Sequence, residues 1–212
     1  MSDLDIRPAG DRALLLVPAE AGTVAAVVAE LRRRPVAGVR DTLPAARTVL
    51  VTLEPGARPE LVEARLREAV EAAAARRGEL ADEADPWEIP VRYDGADLTE
   101  TASLLDMSED ELIARHTGAV WRCAFVGFAP GFGYLESPRA GLSVARRDRS
   151  RTAVPAGSVA LAGGYSAVYP RSTPGGWRII GTTRMRMWDP DRREPAVVRP
   201  GTRVRFVRAE DG

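Results

Sequence analysis

His116 is the only histidine in the chain, and so the one side chain whose ordinary pKa lies close to neutrality. It closes a helical pattern, which leaves two readings: a general acid–base, or a residue suited to the negative end of a helix dipole. Cys123 permits a Cys–His nucleophile pair, yet it alternates in phase with Trp121 and Phe125 as a small core residue does. The stretch Phe128-Ala-Pro-Gly-Phe-Gly-Tyr-Leu135 is the densest run of turn residues. Gly131 and Gly133 allow close approach of backbone to a ligand, and Phe128, Phe132 and Tyr134 offer stacking faces. That stretch, Pro130 included, reads either as a pocket wall or as a barrel corner. Two further loops, Val154–Val159 and Thr173–Trp177, put backbone N–H groups at Gly157, Ser158, Gly175 and Gly176, where they can form an anion nest or oxyanion hole. Arg146, Arg147 and Arg151 can clamp a carboxylate or phosphate, or serve as surface charge. Asp94, Asp97 and Asp106 stand near turns, and helix capping accounts for Asp97.

Composition narrows the chemistry. The 212 residues include 30 basic and 30 acidic side chains, and 45% are hydrophobic, enough to bury a core. Lys, Asn and Gln are absent. Without Lys there is no Schiff base, biotin carrier or Walker A loop, and without Asn no N-glycosylation acceptor. One Cys and one His cannot build a structural zinc site or an internal disulfide, so no metal site is expected. No apolar run is long enough to span a bilayer and the first dozen residues are charged, which predicts a soluble, cytoplasmic protein without a membrane partner. The neutral total hides a basic segment, Arg139–Arg208, with 15 Arg against 4 acids. Such a segment attracts anions. It lacks the aromatic-interleaved pattern of a nucleic-acid reader, so the expected ligand is a small anion or an acidic surface.

The elements that must position these residues fall into two halves. Ala13–Val17 predicts a strand, and Val24, Val27, Val28 and Leu31 a helix ending in Arg32–Arg34 before Pro35. Strand-like runs follow at 36–43 and 48–53. A second helix begins at Pro59 and buries Val62, Leu66, Ala69, Val70 and Ala73, with Glu63 and Arg67 paired on its outer face. The order β-α-β-β-α suggests an α+β, ferredoxin-like domain over 1–85, its last strand supplied further along the chain. Residues 77–86 lack periodicity and mark the boundary. In 86–212 a strand at 88–93 precedes two short helices, 98–105 and 109–116, the second with a Ser108–Glu111 capping box and Gly118 as its stop. Beyond Ala119 short apolar runs at 120–128, 158–162, 167–169, 177–180, 185–188 and 204–207 alternate with Gly and Pro, as in a β-barrel or sandwich.

Taken in order, these loops resemble one family. Phe125-Val-Gly-Phe-Ala-Pro-Gly-Phe-Gly-Tyr-Leu135, Arg146-Arg-Asp-Arg-Ser-Arg151, Val154-Pro-Ala-Gly-Ser-Val159, Tyr169-Pro170 and Pro174-Gly-Gly-Trp-Arg-Ile-Ile-Gly181 are similar to the 5-oxoprolinase B-subunit family, also labelled allophanate hydrolase subunit 1 or KipI-like carboxyltransferase domain. Gly10-Asp11, the helix ending in His116, and Gly201 with Arg203-Val-Arg-Phe206 also match. The resemblance implies a ferredoxin-like domain followed by a cyclophilin-like β-barrel; it does not imply prolyl isomerase activity. It implies ATP-dependent opening of 5-oxoproline to glutamate in a complex with the C-type and A-type proteins of 5-oxoprolinase, the ATP (with Mg²⁺) held by the assembly. On that reading His116 and Ser158 are catalytic, and Phe128, Pro130, Gly131, Phe132, Arg146, Arg147, Arg151, Gly157, Tyr169, Gly175, Gly176 and Trp177 bind substrate. Related architectures imply two alternatives: the carboxyltransferase half of a urea carboxylase or allophanate hydrolase system, and a regulator that inhibits a sensor histidine kinase. The sequence departs from the family pattern at Ala145 and Ser150, where Pro is usual, and at Glu136, where Gly is usual. It departs again over Tyr165–Ala167 and Thr182–Arg184.

Overall fold

Alternation of buried and outward side chains along Ala13–Pro18 and Val49–Leu53 builds one face of a sheet that two amphipathic helices cover. The computed structural model describes residues 4–19, 23–75 and 85–209. The chain divides into two units, Met1–Glu83 and Ala84–Gly212. Most of the boundary segment expected at 77–86 lies outside the described residues.

The first unit runs β1 (Leu4–Pro8), β2 (Ala13–Pro18), α1 (Thr23–Arg33), β3 (Val39–Pro44), β4 (Val49–Leu53) and α2 (Pro59–Ala75). Its antiparallel sheet has the order β1-β2-β4-β3. Val24, Val27, Val28 and Leu31 of α1 meet Val62, Leu66, Val70 and Ala73 of α2 over Leu14, Leu16, Val49, Val51 and Leu53. Arg67 donates to Glu63 at 2.7 Å on the outer face of α2. The sequence reading placed the fourth strand after α2. The described residues instead put β1, from before β2, at that edge of the sheet, where Pro8 is tolerated because an edge strand need not donate on both sides.

The second unit contains β5 (Trp87–Val91), α3 (Leu98–Leu104), α4 (Glu109–Gly118), β6 (Val120–Val126), β7 (Gly133–Glu136), β8 (Arg151–Val154), β9 (Ser158–Ala162), β10 (Tyr165–Val168), β11 (Thr173–Gly175), β12 (Arg178–Thr182) and β13 (Arg203–Arg208). Ser108 caps α4 by accepting from the Glu111 N–H at 3.1 Å, and the helix runs two residues past His116 to take in Gly118. Seven strands form a sheet of order β12-β9-β10-β7-β6-β13-β5. An isolated bridge between Arg92 and Thr182 joins its two ends, with reciprocal backbone bonds of 2.8 and 2.7 Å, so the sheet is a nearly closed barrel. Gly181 permits the closure: a Cβ there would stand 2.5 Å from the Arg92 carbonyl oxygen. Expected strand 185–188 is absent. Only Trp188 forms a bridge, to Ala196, while Met187 is buried, so the apolar spacing there signals burial and not pairing.

Strand β9 is buried along its whole length because both faces of the sheet are covered. Val159 and Leu161 point to a core shared with α3, α4, Trp121 and Phe206. Ala160 and Ala162 point to a second, aromatic-rich core with Phe132, Tyr169 and Trp177. The small paired strands β8 and β11 run beside this second face.

Candidate active site

Phe132 is the hub of the aromatic face. It is 1% exposed and meets Phe128, Tyr134, Tyr169 and Trp177 edge-on, with centroids 5.1–5.5 Å apart. These rings floor and wall a cavity of about 240 Å³, completed by Arg146, Ser150, Pro174, Gly175 and Gly176. Phe128 stands at this cavity, 58% exposed, with φ +67°, a backbone region that a bulky residue adopts at a cost of about 1–3 kcal/mol. The tight turn that carries it is closed by the Ala129 N–H donating to the Gly127 carbonyl at 2.7 Å. Opposite, Tyr169 Oη sits where a Cβ of residue 175 would be, so only glycine fits there. Burial holds the Tyr169 phenol above its ordinary range against the opposing hydrogen bond at Trp177 and the charge of Arg146, so the hydroxyl stays protonated.

Of the three arginines expected to clamp an anion, the structure gives the cavity one. Arg146 lines it and makes no ion pair among the described residues. Arg147 and Arg151 turn to Asp97, whose carboxylate is 1% exposed. Arg147 Nη1 donates to Asp97 Oδ1 at 2.5 Å, and Arg151 donates to both oxygens at 2.8 and 2.9 Å. The Ile179 N–H adds a fourth bond at 2.7 Å. Burial acts to raise the Asp97 pKa, but the hydrogen bonds from Arg151 and Ile179 and the charges of Arg151 and Arg147 outweigh it, leaving the carboxyl below its usual range. Asp97 occupies the N-cap position of α3 without a side-chain cap bond, so the capping expectation is replaced by an ion cluster. Nearby, Glu100 pairs with Arg178 at 3.0 Å and with Arg147 at 3.5 Å.

Other expected site residues lie elsewhere. The Gly157 N–H donates to the Tyr169 carbonyl at 2.8 Å and the Ser158 N–H to Pro155 at 3.3 Å, so neither donor is left for an oxyanion hole. Ser158 itself is 2% exposed within β9. Pro130 is exposed in the turn, and Gly131 packs against Met187 and Trp188. His116 is fully buried on the other face of the sheet. Its Nδ1 is 2.7 Å from Tyr93 Oη, its Nε2 is 2.8 Å from Ser166 Oγ, and its ring stacks on Phe206 at 4.2 Å. Burial depresses its pKa to about 3, so the ring is neutral and bound on both nitrogens. A proton carrier must reach substrate or water. With the barrel sheet between it and the aromatic cavity, His116 reaches neither. Conversely, Ser150 and Pro174 line the cavity although neither stands among the expected binding residues, and Tyr134, expected as a stacking face, lines it as well.

Among the described residues no cluster of His, Cys, Asp and Glu could hold a metal ion, and no helix is long and apolar enough to cross a membrane. Residues 4–198 match the family model "Carboxyltransferase domain, subdomain C and D". The 5-oxoprolinase B subunit of Escherichia coli O157:H7 is 44% identical over 128 residues, 59% of this chain and 59% of its own. The protein of the same name from Bacillus subtilis (strain 168) is 40% identical over 127 residues, 58% of this chain and 53% of its own. The match thus spans little more than half the length of these relatives. The crystal structure of TTHA0988 is similar with a TM-score of 0.73 at 35% identity, over 95% of this chain and 40% of that one. Urea amidolyase of K. lactis, 16% identical, shares the fold with a TM-score of 0.71 over 97% of this chain and 15% of its own. Matched over most of its length, the chain belongs to the carboxyltransferase subdomain C and D family, alongside the 5-oxoprolinase B subunits.

Proposed function

We propose that the chain is the B-type component of an ATP-dependent amide hydrolase that opens 5-oxoproline to glutamate together with A-type and C-type partner proteins. The observation that carries this reading is the aromatic cavity of about 240 Å³ with a single free guanidinium, in a chain 44% identical to a 5-oxoprolinase B subunit. That volume lies below the usual 300–1,000 Å³ of ligand pockets, which suits a five-membered lactam with one carboxylate. A nucleoside triphosphate is too large and too highly charged for it. On this reading the nucleotide is held by the assembled complex and not within this cavity.

Each cavity residue has a defined task on this reading. Arg146 pairs with the substrate carboxylate. Phe128, Phe132 and Trp177 pack on the ring and exclude water, and the Ser150 hydroxyl and the Gly175–Gly176 backbone present polar groups toward the lactam edge. ATP bound in the assembly would supply a phosphoryl group to the lactam oxygen; one water would then add at the ring carbonyl carbon as the carbon–nitrogen bond breaks and the nitrogen takes a proton, and a second water would release the phosphate from the resulting acyl phosphate. The balanced outcome is 5-oxoproline, ATP and two waters giving glutamate, ADP and phosphate.

The test is reconstitution. The chain is purified in a verified complex with its A-type and C-type partners, given 5-oxoproline and ATP, and assayed for glutamate and ADP in equal amounts. Arg146→Leu should raise KM for 5-oxoproline by about ten- to hundredfold, the loss of one charge-assisted hydrogen bond. A verified complex that releases no glutamate would refute the reading.

A further inference from the structure

Four arginines lie within the six residues 146–151, yet only Arg146 lines the cavity, and Arg149 is exposed outside that lining. Arg147 and Arg151 are close enough to matter. Arg147 donates its backbone N–H to the carbonyl of Gly176, a cavity residue, at 2.8 Å, and the charge of Arg151 is felt at the Tyr169 hydroxyl. What withholds their guanidiniums is Asp97, buried and bonded to both. The same carboxylate accepts from Ile179, two residues after Trp177 of the cavity wall, and so ties the arginine loop to the strand that carries that wall.

We infer that Asp97 is a specificity-determining positioning residue: by committing Arg147 and Arg151 it leaves the cavity one cation, so the site takes a small cyclic monocarboxylate and discriminates against phosphate-bearing polyanions. The inference deepens the proposed function and rests on this cavity being the substrate site. Three convergent guanidiniums would form a phosphate clamp, since planar forks match phosphate oxygens bidentately. One guanidinium matches one carboxylate. Asp97 never touches the ligand; it sets which charges do.

Direct binding to the purified chain tests this by calorimetry with four probes. They are 5-oxoproline, cyclopentanecarboxylate (a carboxylate without the lactam), pyrrolidin-2-one (the lactam without a carboxylate) and inorganic phosphate. The two carboxylates should bind at least about tenfold more tightly than the other two. Arg146→Leu should abolish that preference, while Arg147→Leu, which leaves Asp97 paired with Arg151, should retain it within about threefold. Asp97→Asn should raise phosphate affinity about tenfold, and if that variant does not fold the two arginine variants decide. The inference is overturned if phosphate binds the unaltered chain as tightly as the carboxylates, if Arg147→Leu loses as much as Arg146→Leu, or if no carboxylate binds. Arg146-dependent binding of cyclopentanecarboxylate without any of 5-oxoproline would sustain the role of Asp97 and sink the substrate assignment. Turnover of 5-oxoproline in the complex, with Arg147→Leu as damaging as Arg146→Leu, would do the reverse.

Discussion

Acidification from pH 7.5 to 5 should cost the Ala84–Gly212 unit about 2 kcal/mol through His116 alone. In the folded chain burial holds the His116 pKa at about 3, against an unfolded value of 6.5. Below pH 6.5 the unfolded chain takes up a proton that the folded ring refuses. Stability from this group is therefore complete above pH 6.5 and falls by about 1.4 kcal/mol per unit as pH drops, until the folded pKa is reached. One and a half units below 6.5, that amounts to about 2 kcal/mol. Several groups surround the imidazole. Tyr93, whose own pKa burial raises, and Ser166 are neutral throughout the window, and Trp121 and Phe206 are aromatic. Glu136, held above the ordinary carboxyl range by burial, works in the opposite direction but is common to every variant compared. Urea denaturation followed by tryptophan fluorescence is a suitable assay, because Trp87, Trp121, Trp177 and Trp188 all lie in this unit. His116→Gln removes the titration and should flatten the profile between pH 7.5 and 5, whatever it does to absolute stability. Equal slopes for the two proteins would show that His116 is not held neutral in a closed core, and would reopen its candidacy as a proton carrier.

Asp97→Ala should lower the unfolding free energy by about 2–4 kcal/mol, somewhat under the cost of breaking a fully buried ion pair, because Arg147 and Arg151 keep 31% and 25% of their side-chain surface; an unchanged urea midpoint would contradict the cluster. Gly181→Ala should strain the barrel closure, since its Cβ would meet Arg92 O at 2.5 Å and Val91 Cγ1 at 2.8 Å. A loss of about 1–3 kcal/mol is expected, read as faster hydrogen exchange at the Arg92 and Thr182 amides, and unaltered protection there would argue against closure through this pair.

Much of the scaffold could be read in advance because its signals are local. The helical spacing of Val24, Val27, Val28 and Leu31, and of Val62, Leu66, Val70 and Ala73, reports which side chains one helix face buries. Ser108 and Glu111 mark the start of α4 within three residues. Strands β8 and β11 escaped notice because four and three residues, one of them Pro174, carry no periodicity; they are strands only because each pairs with the other. Leu4–Pro8 escaped for a related reason, its alternation broken by charges and proline at a sheet edge.

The site divides along the same line. Glycine spacing and aromatic residues between 128 and 177 by themselves specify that loops of close backbone approach and stacking surface exist, because turn chemistry and ring character belong to single residues. Whether a given arginine is free depends on a carboxylate 50 or 54 positions away, and only the folded chain brings Asp97 to Arg147 and Arg151. Likewise the side of the sheet on which His116 lies follows from the pleat of β10, where Ser166 turns toward α4 and Ala167 toward the aromatic cavity. Charge pairing and facing are properties of distance in space, which separation along a chain does not encode.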